Sequence, residues 1–211
     1  MIRAALQVDL PQGAVVFVEA TPSELLQAAR LAAEPSLAAA EMAVAMAGLS
    51  LTVRSVFGAT VGPLELAQEP LEARMPIRAH KALVGAWMGV HFGSQADQEA
   101  VGNSIVEDPL GWRVTIGERC FLLAELPMRG VMAVNRAADR EKTPAGRILS
   151  VGLEGIRASL RAIDGEPPGD LAGPDLGGRV SARELWTLAA LWPRFQGEAS
   201  PVGEAKAVAG I

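Results

Sequence analysis

Between Leu37 and Leu51 the chain carries a single charge, Glu41, in a run of Ala, Met, Val, Leu, Gly and Ser. Wound as a helix, such a run is apolar almost all round, so it demands burial on every side. It falls short of the roughly 20 residues that span a bilayer, and a protein core has to surround it instead. Pro35 breaks whatever precedes it, Ser36 can cap it, and Gly48 suits its C-terminal end, which predicts a helix over Leu37 to Ala47.

The material for that core is present. Half of the 211 residues are hydrophobic, whereas aromatics make up 4% and tyrosine is absent. The interior must therefore be built from Ala, Leu, Val, Ile and Met, and disorder is excluded, since it requires few apolar residues. The length favours one domain with an appended element. The N-terminal residues meet Asp9 and Pro11 too soon to hold the apolar centre of a signal peptide. Cys120 is the one cysteine, so no internal disulfide framework exists. A cytoplasmic location is the resulting expectation.

Short strands are expected at Arg3 to Asp9 and Ala14 to Glu19, turning at Pro11-Gln12-Gly13. Thr21-Pro22-Ser23-Glu24 is a capping box that opens a helix reaching about Glu34. Leu49 to Phe57, Leu64 to Glu69 and Ile77 to Phe92 read as strands, with Gly85 and Gly89 as bulge positions in the last. Ser94-Gln95-Ala96-Asp97 starts a helix to about Val106, and Trp112 to Ile116 with Cys120 to Leu126 form a hairpin. Val131 to Lys142 is helical. After Thr143-Pro144, Leu149, Leu153, Ile156, Leu160 and Ile163 alternate spacings of four and three, the mark of one apolar helical stripe. Gly152 and Gly155 flank the stripe and point to a close backbone approach. No repeat of fixed period is apparent, although strand-helix-strand succession occurs in both halves.

The fold class expected is α+β, a mixed or antiparallel sheet packed against alanine-rich aliphatic helices. Residues 1–164 would form the core domain, 165–180 a Gly/Pro-rich linker, 181–195 a short C-terminal docking helix, and 196–211 a tail without assigned structure. Ser181-Ala182-Arg183-Glu184 is a second capping box, and Leu185, Trp186, Leu188 and Trp192 supply the apolar side of its helix before Pro193. A helix this short is marginal in water, so it must dock on its own domain or on a partner.

Reactive groups are few. His80 and His91 lie in the segment read as a strand, where an odd separation places them on opposite faces and away from a shared metal. Cys120 follows Arg119, but neighbouring strand residues face opposite ways, so an inert thiol is expected. Gly58-Ala59-Thr60-Val61-Gly62 lacks the Lys-Ser/Thr of a phosphate loop and reads as a tight strand exit. No metal and no cofactor is expected.

Charge is the stronger signal. From Met128 to Arg161 there are seven basic residues, Arg129, Arg136, Arg140, Lys142, Arg147, Arg157 and Arg161, against three acidic ones. The segment is +4 and the rest of the chain −9, within a net charge of −5. Such a strip suits an acidic partner, a phosphate or RNA, while its ordinary reading is the solvated faces of two helices. No aromatics interleave with the arginines, which disfavours a base-stacking surface. The expectation is a non-catalytic accessory or assembly subunit that binds a protein partner or itself, with no membrane involved. The rivals are a small-molecule enzyme using arginine and carboxylate chemistry and a subunit contacting nucleic acid.

Overall fold

The computed structural model describes residues 3–32, 37–93, 100–101, 104–173 and 175–195. In chain order the elements are β1 (Ala5–Leu10), β2 (Gly13–Val18), α1 (Pro22–Leu31), α2 (Leu37–Thr52), β3 (Val53–Val56), β4 (Ala59–Thr60), α3 (Pro63–Gln68), α4 (Leu71–Arg74) and α5 (Ile77–His91). There follow β5 (Val106–Asp108), β6 (Gly111–Ile116), β7 (Arg119–Leu123), α6 (Met128–Ala138), α7 (Pro144–Ser159), β8 (Leu160–Ile163), a 3₁₀ turn at Leu176–Gly178 and α8 (Ala182–Phe195). The strands form two antiparallel sheets, β1-β2-β3-β4 and β5-β6-β7-β8. The fold is α+β, and one apolar cluster runs through both halves, from Val15 to Phe195.

The two halves repeat one another. A hairpin, two helices and a third strand make β1-β2-α1-α2-β3, and again β6-β7-α6-α7-β8. In the first, a bulge between Val16 and Phe17 lets Phe17 pair with Val53; in the second, a bulge between Leu122 and Leu123 lets Leu123 pair with Leu160. Both third strands end in the same turn, with Phe57 and Gly58 at φ 51° and 84° and Asp164 and Gly165 at 56° and 83°. Arg54 donates to the carbonyls of Leu51 and Val53, and Arg161 to those of Ala158 and Leu160. Counterparts stand 106 positions apart in the hairpins, as Phe17 and Leu123 do, and 107 in the second helices. The sequences of the halves do not show this period; it lives in backbone geometry.

A tryptophan helix closes each repeat. Gly48 lies inside α2, which runs on to Thr52, because a Cβ there would strike the Trp87 ring of α5. Trp87 Nε1 donates to Thr52 Oγ1 at 3.1 Å. Gly155, the counterpart of Gly48, faces Trp192 of α8, with a Cβ placed 2.7 Å from the indole, and Gly152 faces Ala189. The close approach expected at Gly152 and Gly155 is thus made by α8.

Three strand expectations are corrected. Leu64 to Glu69 is helical because Pro63 sits in the first turn and Glu65 accepts the Gly62 N–H at 3.2 Å. Ile77 to His91 is a helix, its buried residues Ala79, His80, Leu83, Val84 and Trp87 recurring at three- and four-residue steps. Gly85 and Gly89, read as bulges, stand on its open side with nothing within 4 Å of a built Cβ. Leu49 to Thr52 belongs to α2, leaving only Val53–Val56 as strand. The stripe after Thr143 also divides: α7 ends at Ser159, and Leu160 and Ile163 point into the same core from β8. Helix α8 continues through Pro193 to Phe195. Most of the helix expected from Ser94 lies outside the described residues, and Val106 opens a strand.

Candidate functional site

Helix α6 begins at Met128, after Pro127 as its N-cap, and rests on α7, burying Val134 and Ala138. At about 100° per residue, Met128, Met132 and Asn135 form a stripe beside that contact, and all three are exposed. Arg129 and Arg136 form the adjoining stripe and Arg140 follows two residues past the helix; all three are exposed, with no partner among the described residues. Two long thioethers and two guanidinium groups therefore face solvent from one short helix, with a third guanidinium just past its end. The basic residues flag this helix in the sequence, but Met128 and Met132 do not stand out until a helical projection sets them on a stripe apart from Val134 and Ala138.

The strip of seven basic residues splits by role. Arg129, Arg136, Arg140 and Lys142 are exposed. The others serve the fold. Arg147 Nε donates to the Glu141 carbonyl at 3.1 Å. Arg157 pairs with Glu154 and donates to the carbonyls of Leu171 and Gly173, fastening the segment that precedes α8. Arg161 caps the end of α7.

Helix α8 packs along α7 of its own chain. Leu185, Trp186, Leu188 and Trp192 are buried, with the Trp186 ring tilted against that of Phe92 at 4.3 Å between centres. Its apolar stripe is thus spent within the chain. Glu184 completes the Ser181 box and takes both oxygens to Arg119 Nη1, at 2.8 and 2.9 Å.

A cavity of 820 Å³ lies where β2 and α1 meet the segment from Asp175 to Ser181, lined in part by Arg3, Glu19, Arg119 and Asp175. Its charges are largely engaged. Arg3 pairs with Glu24, Arg119 with Glu184 and the Arg179 carbonyl, and Asp175 accepts the Ser23 N–H at 2.9 Å. Burial acts to raise the Asp175 carboxyl, but hydrogen bonds from Ser23 and Thr21 and the charge of Arg3 hold it below the usual range. Glu19 is pushed up, by burial first and by Glu184 second, against the pull of Arg183.

Neither histidine joins this cavity. His91 is fully buried, its ring stacked 3.9 Å from Trp87 between centres. The Ala20 N–H donates to Nε2 at 2.8 Å and Nδ1 lies 2.8 Å from the Trp87 carbonyl, which fixes the neutral tautomer with its proton on Nδ1. Cys120 is half-buried on β7, and its backbone N–H donates to Asp164. No group of three metal-ligating side chains occurs among the described residues, and no described helix is long and apolar enough to cross a membrane.

Comparison with protein-family models, with curated proteins and with solved structures found no match to this chain. The functional reading therefore rests on its own surface chemistry. The exposed Met-Arg face of α6 is one feature of that surface with no structural task among the described residues.

Proposed function

We propose that this chain is a non-catalytic assembly protein that works by binding another polypeptide through the Met128–Met132 face of α6. The carrying observation is the exposure of those two methionines beside Arg129, Arg136 and Arg140. Exposed apolar side chains gathered on one element mark interaction surfaces, and methionine adapts its shape to a partner at little cost. The guanidinium row selects an acidic rim on that partner and steers its approach. A reducing, cytoplasmic setting suits a chain whose one cysteine carries no disulfide.

The test is the mass of the native assembly and the identity of its components. A stoichiometric polypeptide partner is expected, held at least tenfold more weakly by the double variant Met128→Glu, Met132→Glu. Unchanged affinity in that variant would overturn the reading. Retention of mixed-sequence RNA that falls steeply with salt would replace it with nucleic-acid binding.

The cavity favours one rival, a small-molecule enzyme, because its volume is that of a ligand site and Glu19 is an acid with a raised pKa. Under that reading Glu19→Gln abolishes turnover of a small substrate and the double methionine variant leaves it intact.

A further inference from the structure

Inside the chain, the two repeats are joined through unlike surfaces. Helix α7 of the second repeat packs on α1 and α2 of the first. Thr143, at the start of α7, donates its hydroxyl to the Ala29 carbonyl at 2.7 Å, and Arg30 pairs with Glu141. By helical projection from those two contacts, the faces turned toward each other here are Leu149 and Leu153 on α7, 0% and 5% exposed, and Pro22, Leu26 and Ala29 on α1, of which Leu26 is 6% exposed. A second helix from one repeat thus lies against a first helix from the other.

The counterparts of both faces are open. Met42 and Met46 on α2, which stand where Leu149 and Leu153 stand on α7, are 49% and 38% exposed. Met128, Met132 and Asn135 on α6 correspond to Pro22, Leu26 and Ala29 on α1, and the two methionines are 74% and 47% exposed. Arg136, the counterpart of Arg30, has no partner among the described residues. Each end of the molecule therefore presents one half of the contact that joins its two repeats. Charge agrees with the match, since α2 carries Glu41 and no basic side chain whereas α6 carries Arg129 and Arg136.

We propose that the partner is a second copy of this chain, stacked head to tail: the Met42–Met46 face of one molecule receives the Met128–Met132 face of the next, repeating the junction of α7 with α1. The inference rests on the binding reading above and names its partner. A contact between unlike faces either closes into a ring or continues as a filament.

Sedimentation of the purified full-length chain tests it. The wild type is expected above 22.0 kDa, in steps of that mass that grow with concentration. Met46→Glu and Met132→Glu, both at exposed positions, should each give a monomer with an unchanged circular dichroism spectrum. Mixed in equal amounts they should give a dimer and nothing larger, because each variant keeps the face the other lacks. Met42→Glu and Met128→Glu replace either variant that fails to fold. A wild type that remains monomeric at millimolar concentration overturns the proposal, as does a Met46→Glu variant that self-associates like the wild type, or a mixture that stays monomeric. A monomeric wild type that still captures another polypeptide through Met132 defeats the stacking while leaving the binding reading standing.

Discussion

At the scale of single residues, burial decides what the scarce reactive groups do. His91 is saturated: a backbone donor at Nε2, a backbone acceptor at Nδ1 and an indole against its face. Burial lowers its pKa from 6.5 to about 4, against opposing pulls from the Trp87 carbonyl and Glu24. Because the unfolded state takes up the proton first, His91 contributes stability that is complete above pH 6.5 and is lost as pH falls toward 4, about 3 kcal/mol in all. Urea unfolding across that range should show it, and His91→Gln, which cannot titrate, should flatten the decline. An equal decline in the variant would remove His91 as its source. Arg157 is a second such case: it stands among binding candidates in the sequence, yet it holds the Leu171 and Gly173 carbonyls. Arg157→Met is expected to loosen residues 165–180 to proteolysis, whereas Arg140→Met, at an exposed turn after α6, leaves cleavage unchanged.

At the scale of elements, three glycines in helices, Gly48, Gly89 and Gly155, separate packing from propensity. Glycine costs a helix about 1 kcal/mol relative to alanine, so Gly89→Ala, with open space around its Cβ, should stabilise the protein by up to that amount. Gly48→Ala and Gly155→Ala should instead destabilise by about 1–3 kcal/mol, since the new methyl meets Trp87 or Trp192. Thermal melts of the three variants check the opposite signs. The same contrast explains what could be read from the sequence. The capping boxes at Thr21 and Ser181 and the stripe from Leu149 to Ile156 are local, and the structure keeps them. Helix α5 misleads because Gly85 and Gly89 lower its helical character while Ala79, Leu83 and Trp87, which hold it in place, act through α2. Gly48 looks like a helix end for a similar reason: its partner is 39 positions away in Trp87. The methionine face of α6 was hidden differently, since exposure depends on what fails to cover a helix.

At the scale of the whole molecule, the repeat makes the two halves interdependent. Leu26 and Ala29 of the first half are buried where α7 of the second half packs, and Trp192 of the last helix fills the groove over Gly155. The described segment from Ser181 to Phe195 is therefore part of the core. Removing it would uncover Gly152 and Gly155, which face Ala189 and Trp192, along with Phe92, whose ring lies 4.3 Å from that of Trp186 between centres. Losing Leu185, Trp186, Leu188 and Trp192 together costs several times the roughly 1.5–3 kcal/mol of one buried large side chain, against a total stability of about 5–15 kcal/mol. A chain ending at Val180 is expected to lose cooperative unfolding and to bind hydrophobic dyes. The intact chain should unfold in one step, with Trp fluorescence and far-ultraviolet dichroism tracing the same curve in urea. Two separated transitions would show that the repeats fold as independent units, and the α1–α7 junction would then be a docked contact between domains.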